Sequence, residues 1–107
     1  MDKVYEETLL FDYYGELLTE RQRAVCRLHL AEDWSLAEIA EELSVSRQAV
    51  HDTLKKAFAA LNEYENKLHM VERNLAVSAE LGHLSALAEE GRLEEGLSRL
   101  HELIRIE

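Results

Sequence analysis

Through residues 3 to 18, apolar side chains at Tyr5, Leu9, Leu10, Tyr13, Tyr14 and Leu17 recur at helical spacing, with Glu6, Glu7, Asp12 and Glu16 largely opposite them. The spacing predicts an amphipathic first helix whose three tyrosines pack and bring their hydroxyls to the core edge. Thr19 with Gln22 three positions on reads as a capping box, and Ala24, Val25, Leu28 and Leu30 carry a second helix to about Ala31, ended by Glu32 and Asp33. Ser35 with Glu38 makes another box, with Trp34 and Ile39 placed as a hydrophobic staple, and opens a short helix from Leu36 to Leu43. Ser46 is a third cap, Val45 and Val50 again sit at staple positions, and a fourth helix begins at Arg47.

From there Val50, Leu54, Ala57, Leu61, Tyr64, Leu68, Val71 and Leu75 alternate in steps of four and three, as in a straight helix or coiled coil. A continuous helix to Ser78 would be about 48 Å long. A compact chain of this size has a radius of gyration of about 13 Å. Either the helix breaks between Asn66 and Met70, or it projects and meets a partner chain. Beyond it, Leu81, Leu84, Leu87 and Ala88, then Leu93, Leu97, Leu100, Leu103 and Ile104, predict two more helices that turn near Glu90 and Gly91 and cap the core. Gly96, inside the last of these, reads as a local weakness.

Composition narrows the picture to an all-α fold. The chain has no proline and four glycines, and Leu, Glu, Ala and Arg dominate. Its 107 residues suit one helical domain, with a helix-turn-helix core over residues 19 to 62 and a helical extension over 63 to 107. The lone Cys26 has no internal partner and reads as a buried thiol. No apolar run is long enough to span a membrane, and Met1, Asp2 and Lys3 do not open a signal peptide, so the expectation is a cytoplasmic protein without membrane contact. The net charge of −10 opposes polyanion binding unless the charge is uneven. It is uneven: residues 1 to 18 hold five acids and one base, 19 to 62 seven and six, and 63 to 107 ten and five. A nucleic-acid surface therefore belongs in the middle third.

That third contains LAEIAEELSVSRQAVHDTLK, residues 36 to 55, in which Ile39, Ala40, Leu43, Val45 and Val50 point inward from two short helices joined by a tight turn. The pattern looks like a helix-turn-helix, with Ser44 taking the left-handed position that glycine often fills. Ser46, Arg47, Gln48, His51 and Lys55 lie away from the Val50 and Leu54 stripe, where a recognition helix faces the major groove. Arg reads guanine and Gln reads adenine in bidentate fashion, while Lys55, Lys56, Arg21 and Arg23 suit phosphate, and Asp52 would repel it. The rival reading is a solvated polar face of a trihelical core. His51 lacks companions for a metal, His29, Glu32 and Asp33 read as a solvated surface, and no catalytic or cofactor pattern is present, so no enzyme, metal or cofactor is expected.

Residues 18 to 61 resemble the promoter-reading region four of bacterial sigma factors. LFDYYGELLTERQ, SLAEIAEELSVSRQAVHD and YENKLHM together resemble the small bacterial YlxM family. That resemblance implies an all-helical protein with a sigma-like helix-turn-helix and a DNA-binding regulatory role. It also implies a link to the signal recognition particle pathway, because genes of the family tend to lie beside those for the particle's GTPase and its receptor. Residue by residue, Ser46, Arg47, Gln48, Ala49 and Val50 match the family's recognition-helix start. Two functions follow as expectations: a DNA-binding regulator, or a helical adaptor contacting the protein or RNA of the signal recognition particle through its leucine seam or acidic face. A homodimer fits both, a parallel seam setting Lys67 against Glu72 of the other chain.

Overall fold

The computed structural model describes residues 2–104. These form α1 (Lys3–Tyr14), α2 (Glu20–Cys26), α3 (Leu36–Leu43), α4 (Arg47–Leu68), α5 (Met70–Glu89) and α6 (Leu93–Ile104), with no strand among the described residues. The fold is all-α. It falls into two compact units that divide between His69 and Met70.

In the first unit, α4 supplies the shared wall. Its Val50, Leu54, Ala57 and Leu61 are buried, four positions on one helical stripe, and α1, α2 and α3 each pack against it. They meet Leu10 and Tyr14 of α1, Val25 and Cys26 of α2, and Ile39 and Ala40 of α3 in one core. A fully buried Ile39 or Leu61 contributes about 1.5–3 kcal/mol by leaving water.

The predicted caps form. The Thr19 and Ser35 hydroxyls accept from the backbone N–H of Gln22 and Glu38, while the Gln22 and Glu38 side chains accept from the cap residues' own N–H groups. The second of these boxes holds the Glu38 carboxyl below its usual pKa, because the Ser35 backbone N–H, and then its hydroxyl, favour the charged form. The helix beginning at Glu20 ends in a π-helical turn over Arg27–Ala31, closed by Glu32 N–H donating to the Arg27 carbonyl at 3.2 Å.

Three expectations need correcting. The first helix stops at Tyr14, four residues early, and Gly15–Leu17 form a 3₁₀ turn. That turn shifts the helical phase, so Leu18 goes into the core while Leu17 stays 55% exposed. Of the three tyrosines, Tyr14 behaves as expected: its ring is buried beside Tyr64, and its hydroxyl donates to Glu65 Oε1 at 2.5 Å. Tyr13 is half-buried, and Tyr5, near the helix start, is exposed.

The second correction concerns the pairing of Lys67 with Glu72 along one continuous seam. Of the two alternatives for α4, the break holds: His69 adopts left-handed backbone (φ 54°) and donates its N–H to the Glu65 carbonyl at 2.8 Å. Lys67 and Glu72 therefore lie on different helices, and Lys67 pairs instead with Glu63 on its own helix at 3.1 Å. The seam from Val50 to Leu61 is spent inside the first unit, leaving no continuous stripe for a parallel partner.

In the second unit α5 and α6 form a hairpin. Gly91 (φ 78°) makes the left-handed turn, with Arg92 N–H donating to the Leu87 carbonyl and Gly91 N–H to Ala88. Gly96 is the third correction: rather than a weak point, it is buried where the two helices approach closely. A Cβ there would sit 2.5 Å from Leu84 Cδ1 and 3.3 Å from Leu84 Cα. The helix propensity lost to glycine, about 1 kcal/mol, is the smaller effect against an overpacking cost of about 1–3 kcal/mol for a larger residue. The side chain of Ile104, expected in this apolar set, lies outside the described residues.

Cys26 is fully buried, and burial, with the nearby Glu7 charge a smaller contribution, pushes its thiol up to about 11. The native protein at pH 8 is therefore expected to resist a thiol-reactive dye over hours and to label at once in denaturant. Rapid native labelling would show that this core opens.

Candidate nucleic-acid interface

The turn between α3 and α4 sets the site. Ser44 takes left-handed backbone (φ 55°, ψ 45°), Val45 N–H donates to the Ala40 carbonyl at 3.0 Å, and Ser44 N–H to Glu41 at 3.3 Å. A non-glycine residue here costs about 1 kcal/mol, and the two carbonyls it satisfies offset that. Ser46 then caps α4, its hydroxyl accepting from Ala49 N–H at 3.0 Å. Two helices joined by a tight turn, the second fixed by buried Val50, are a helix-turn-helix.

The start of α4 differs from every other helix start in the described chain. Acidic side chains occupy the first turn of α1 (Glu6), α2 (Glu20), α3 (Glu38), α5 (Glu72) and α6 (Glu94, Glu95), and none occupies that of α4. The partial positive charge of its N–H groups is thus not answered from within the helix.

The expected contact residues sit as follows. Ser46, Arg47, Gln48, His51, Lys55 and Lys56 are exposed along α4, and Arg21 is exposed on α2. Among the described residues, no carboxylate lies within ion-pair distance of Arg21, Arg47, Lys55 or Lys56. Arg23 differs: it is partly buried and pairs with Glu16 at 3.0 Å. Gln48 is also engaged, its Nε2 donating to Asp52 Oδ1 at 3.0 Å, and His51 Nδ1 stands 3.7 Å from the same oxygen. The Asp52 carboxylate, which would repel phosphate, is thereby held between two neighbours. The four-residue spacing of Gln48 and Asp52 carried that signal.

A second neighbour had no sequence signal. A groove of about 460 Å³ brings Lys3, Glu6 and Glu7 of α1 beside His51, Lys55 and Phe58 of α4. Residues nearly fifty positions apart meet because α1 packs along α4. Two carboxylates therefore flank the basic side chains of α4, and the field there is mixed in sign. Arg27, exposed at the end of α2, lies with Arg21 and Arg23 in another groove and escaped the sequence reading altogether. No group of three or more His, Cys, Asp or Glu side chains is placed to hold a metal, and no helix is long and apolar enough to cross a membrane, among the described residues.

The fold and this turn define an all-α helix-turn-helix protein. The chain belongs to the UPF0122 family, described as "Putative helix-turn-helix protein, YlxM / p13 like", whose model matches residues 1–91. It is 52% identical over 75 residues to a UPF0122 protein of Acetivibrio thermocellus, a match covering 70% of this chain and 64% of that relative. It is 46% identical over 102 residues to one of Desulforamulus reducens, covering 92% and 87%. To one of Symbiobacterium thermophilum it is 50% identical over 84 residues, covering 76% and 78%.

Because the Ser46 hydroxyl satisfies one of α4's first N–H groups, Ser46→Ala is expected to lower stability by about 1 kcal/mol in a denaturant titration. A variant as stable as the parent would mean that water replaces the cap, and that the turn is set by Val45 and Val50 alone.

Proposed function

We propose that this chain is a non-enzymatic regulator that binds duplex DNA, setting the start of α4 in the major groove. The observation that carries the reading is the capped, acid-free first turn of α4 beside an exposed Arg47 that has no ion-pair partner among the described residues. In this reading Arg47, Gln48 and His51 meet base edges, Gln48 by exchanging Asp52 for adenine, while Arg21, Lys55 and Lys56 meet phosphates. Arg23 adds its charge from within its pair with Glu16. Glu6 and Glu7, sharing a groove with His51 and Lys55, weaken attraction to DNA and set a modest affinity.

A fluorescence-anisotropy titration of mixed-sequence duplexes at low and higher salt tests this. Saturable binding that weakens with salt is expected, with Arg47→Ala costing about 1–3 kcal/mol at one base position and the paired change Glu6→Gln, Glu7→Gln tightening binding. Absence of saturable binding at low salt contradicts the reading.

A second reading, an adaptor for the protein or RNA of the signal recognition particle, draws on the net charge of −10 and on leucines that the hairpin leaves exposed. It gains if duplex DNA fails to bind and particle RNA or protein succeeds. Leu75, Leu81, Leu93 and Leu97 are each 41–49% exposed, and this supports pairing of two copies through the α5 and α6 hairpin, which would present two recognition helices. Sedimentation equilibrium is expected to show a dimer that Leu81→Asp with Leu97→Asp dissociates. A monomer at high concentration would contradict it.

A further inference from the structure

The groove between α2 and the end of α3 is lined by Arg21, Arg23 and Arg27, with Glu20, Ala24 and Leu43, and has a volume of about 650 Å³. Three guanidinium groups along one concavity repel one another unless something negative offsets them. Within the protein that offset is partial. Glu16 answers Arg23 at 3.0 Å, whereas Arg21 and Arg27 are exposed and, among the described residues, have no carboxylate at ion-pair distance. Glu20, on the same wall, pairs with neither. Ala24 has only a methyl group and leaves the floor between them open.

The position matters as much as the charge. Leu43 is the last residue of α3, and three residues later Ser46 caps α4. Three residues of chain reach at most about 11 Å, so the groove wall stands within that distance of the acid-free helix start. An anionic strand lying across the start of α4 would have a second row of donors beside it. Arginine suits that role, because its planar fork presents parallel N–H groups to two phosphate oxygens and its charge is permanent.

We propose that this groove is a phosphodiester-binding site in which Arg21 and Arg27 hold a backbone phosphate flanking the bases that α4 meets. The proposal rests on the duplex-DNA reading and adds to it a second anchoring site and Arg27. Here the groove fixes register and orientation on the duplex and carries no sequence information.

The test is the salt dependence of duplex affinity for the full chain, by fluorescence anisotropy on two unrelated mixed sequences, with circular dichroism confirming each variant's helix content. Arg21→Ala and Arg27→Ala are each expected to make the slope of log affinity against log salt shallower by about one, and to weaken both duplexes alike. Arg27→Lys should restore most of the slope, since an ammonium still neutralises phosphate. Arg73→Ala, which removes one exposed positive charge from α5, should leave the slope unchanged. Parental slope and affinity in Arg21→Ala and Arg27→Ala, with Arg47→Ala still weakening binding, would overturn the groove and leave the α4 reading standing. An equal loss in Arg73→Ala would overturn it as well, by tracing the effect to net charge. Failure of the parent protein to bind duplex at low salt would overturn both.

Discussion

Burial of one stripe of α4, Val50, Leu54, Ala57 and Leu61, holds the amino-terminal unit together, because α1, α2 and α3 each lay their apolar faces against it. The helix that forms the structural wall is also the helix that presents Arg47 and Gln48, so the face proposed to meet DNA is fixed by whatever fixes the core. Rotating α4 by one residue would bring Val50 out of the core and turn Arg47 and Gln48 away from the surface they share. The left-handed turn at Ser44 and the Ser46 cap set that rotation at its start. Tyr14, the last residue of α1, donates to Glu65 and ties α1 to α4 within the last turn of α4.

The charge pattern is what lets so acidic a chain carry the proposed anion-binding surface. Carboxylates stand in the first turn of five of the six α-helices, answering those helix dipoles internally, and are missing from α4 alone. The bases of residues 19 to 62 then gather on two neighbouring features, the exposed face of α4 and the arginine groove of α2. Against them stand Glu6 and Glu7, brought by the packing of α1 into the groove that holds His51 and Lys55. In the proposed reading, attraction at the helix start and opposition along its flank favour one docking direction over general adhesion to polyanions.

Much of this was legible in the sequence because it is written locally. Caps and boxes at Thr19, Ser35 and Ser46 need only residues three apart, and the left-handed turn at Ser44 follows from the two helices on either side of it. The break of the long seam was visible as a conflict between helix length and chain size, but its place, His69, depends on a single backbone conformation. What the sequence hid arises where distant segments meet. Gly96 looks like a flaw until Leu84 of the facing helix is placed against it. Leu17 looks like a core residue until the 3₁₀ turn changes the phase. Arg27 looks like an ordinary surface residue until the end of α3 closes a groove around it.

In the proposed reading the start of α4, with its flanking arginines, is the surface that meets DNA. Backbone amide chemical shifts of the isotope-labelled protein, followed by NMR as an unlabelled duplex is added at low salt, test it most directly. The largest changes are expected on residues 44 to 56 and on 20 to 27, with α6 little affected. Changes concentrated on α5 and α6, or none with duplex in excess, would contradict it.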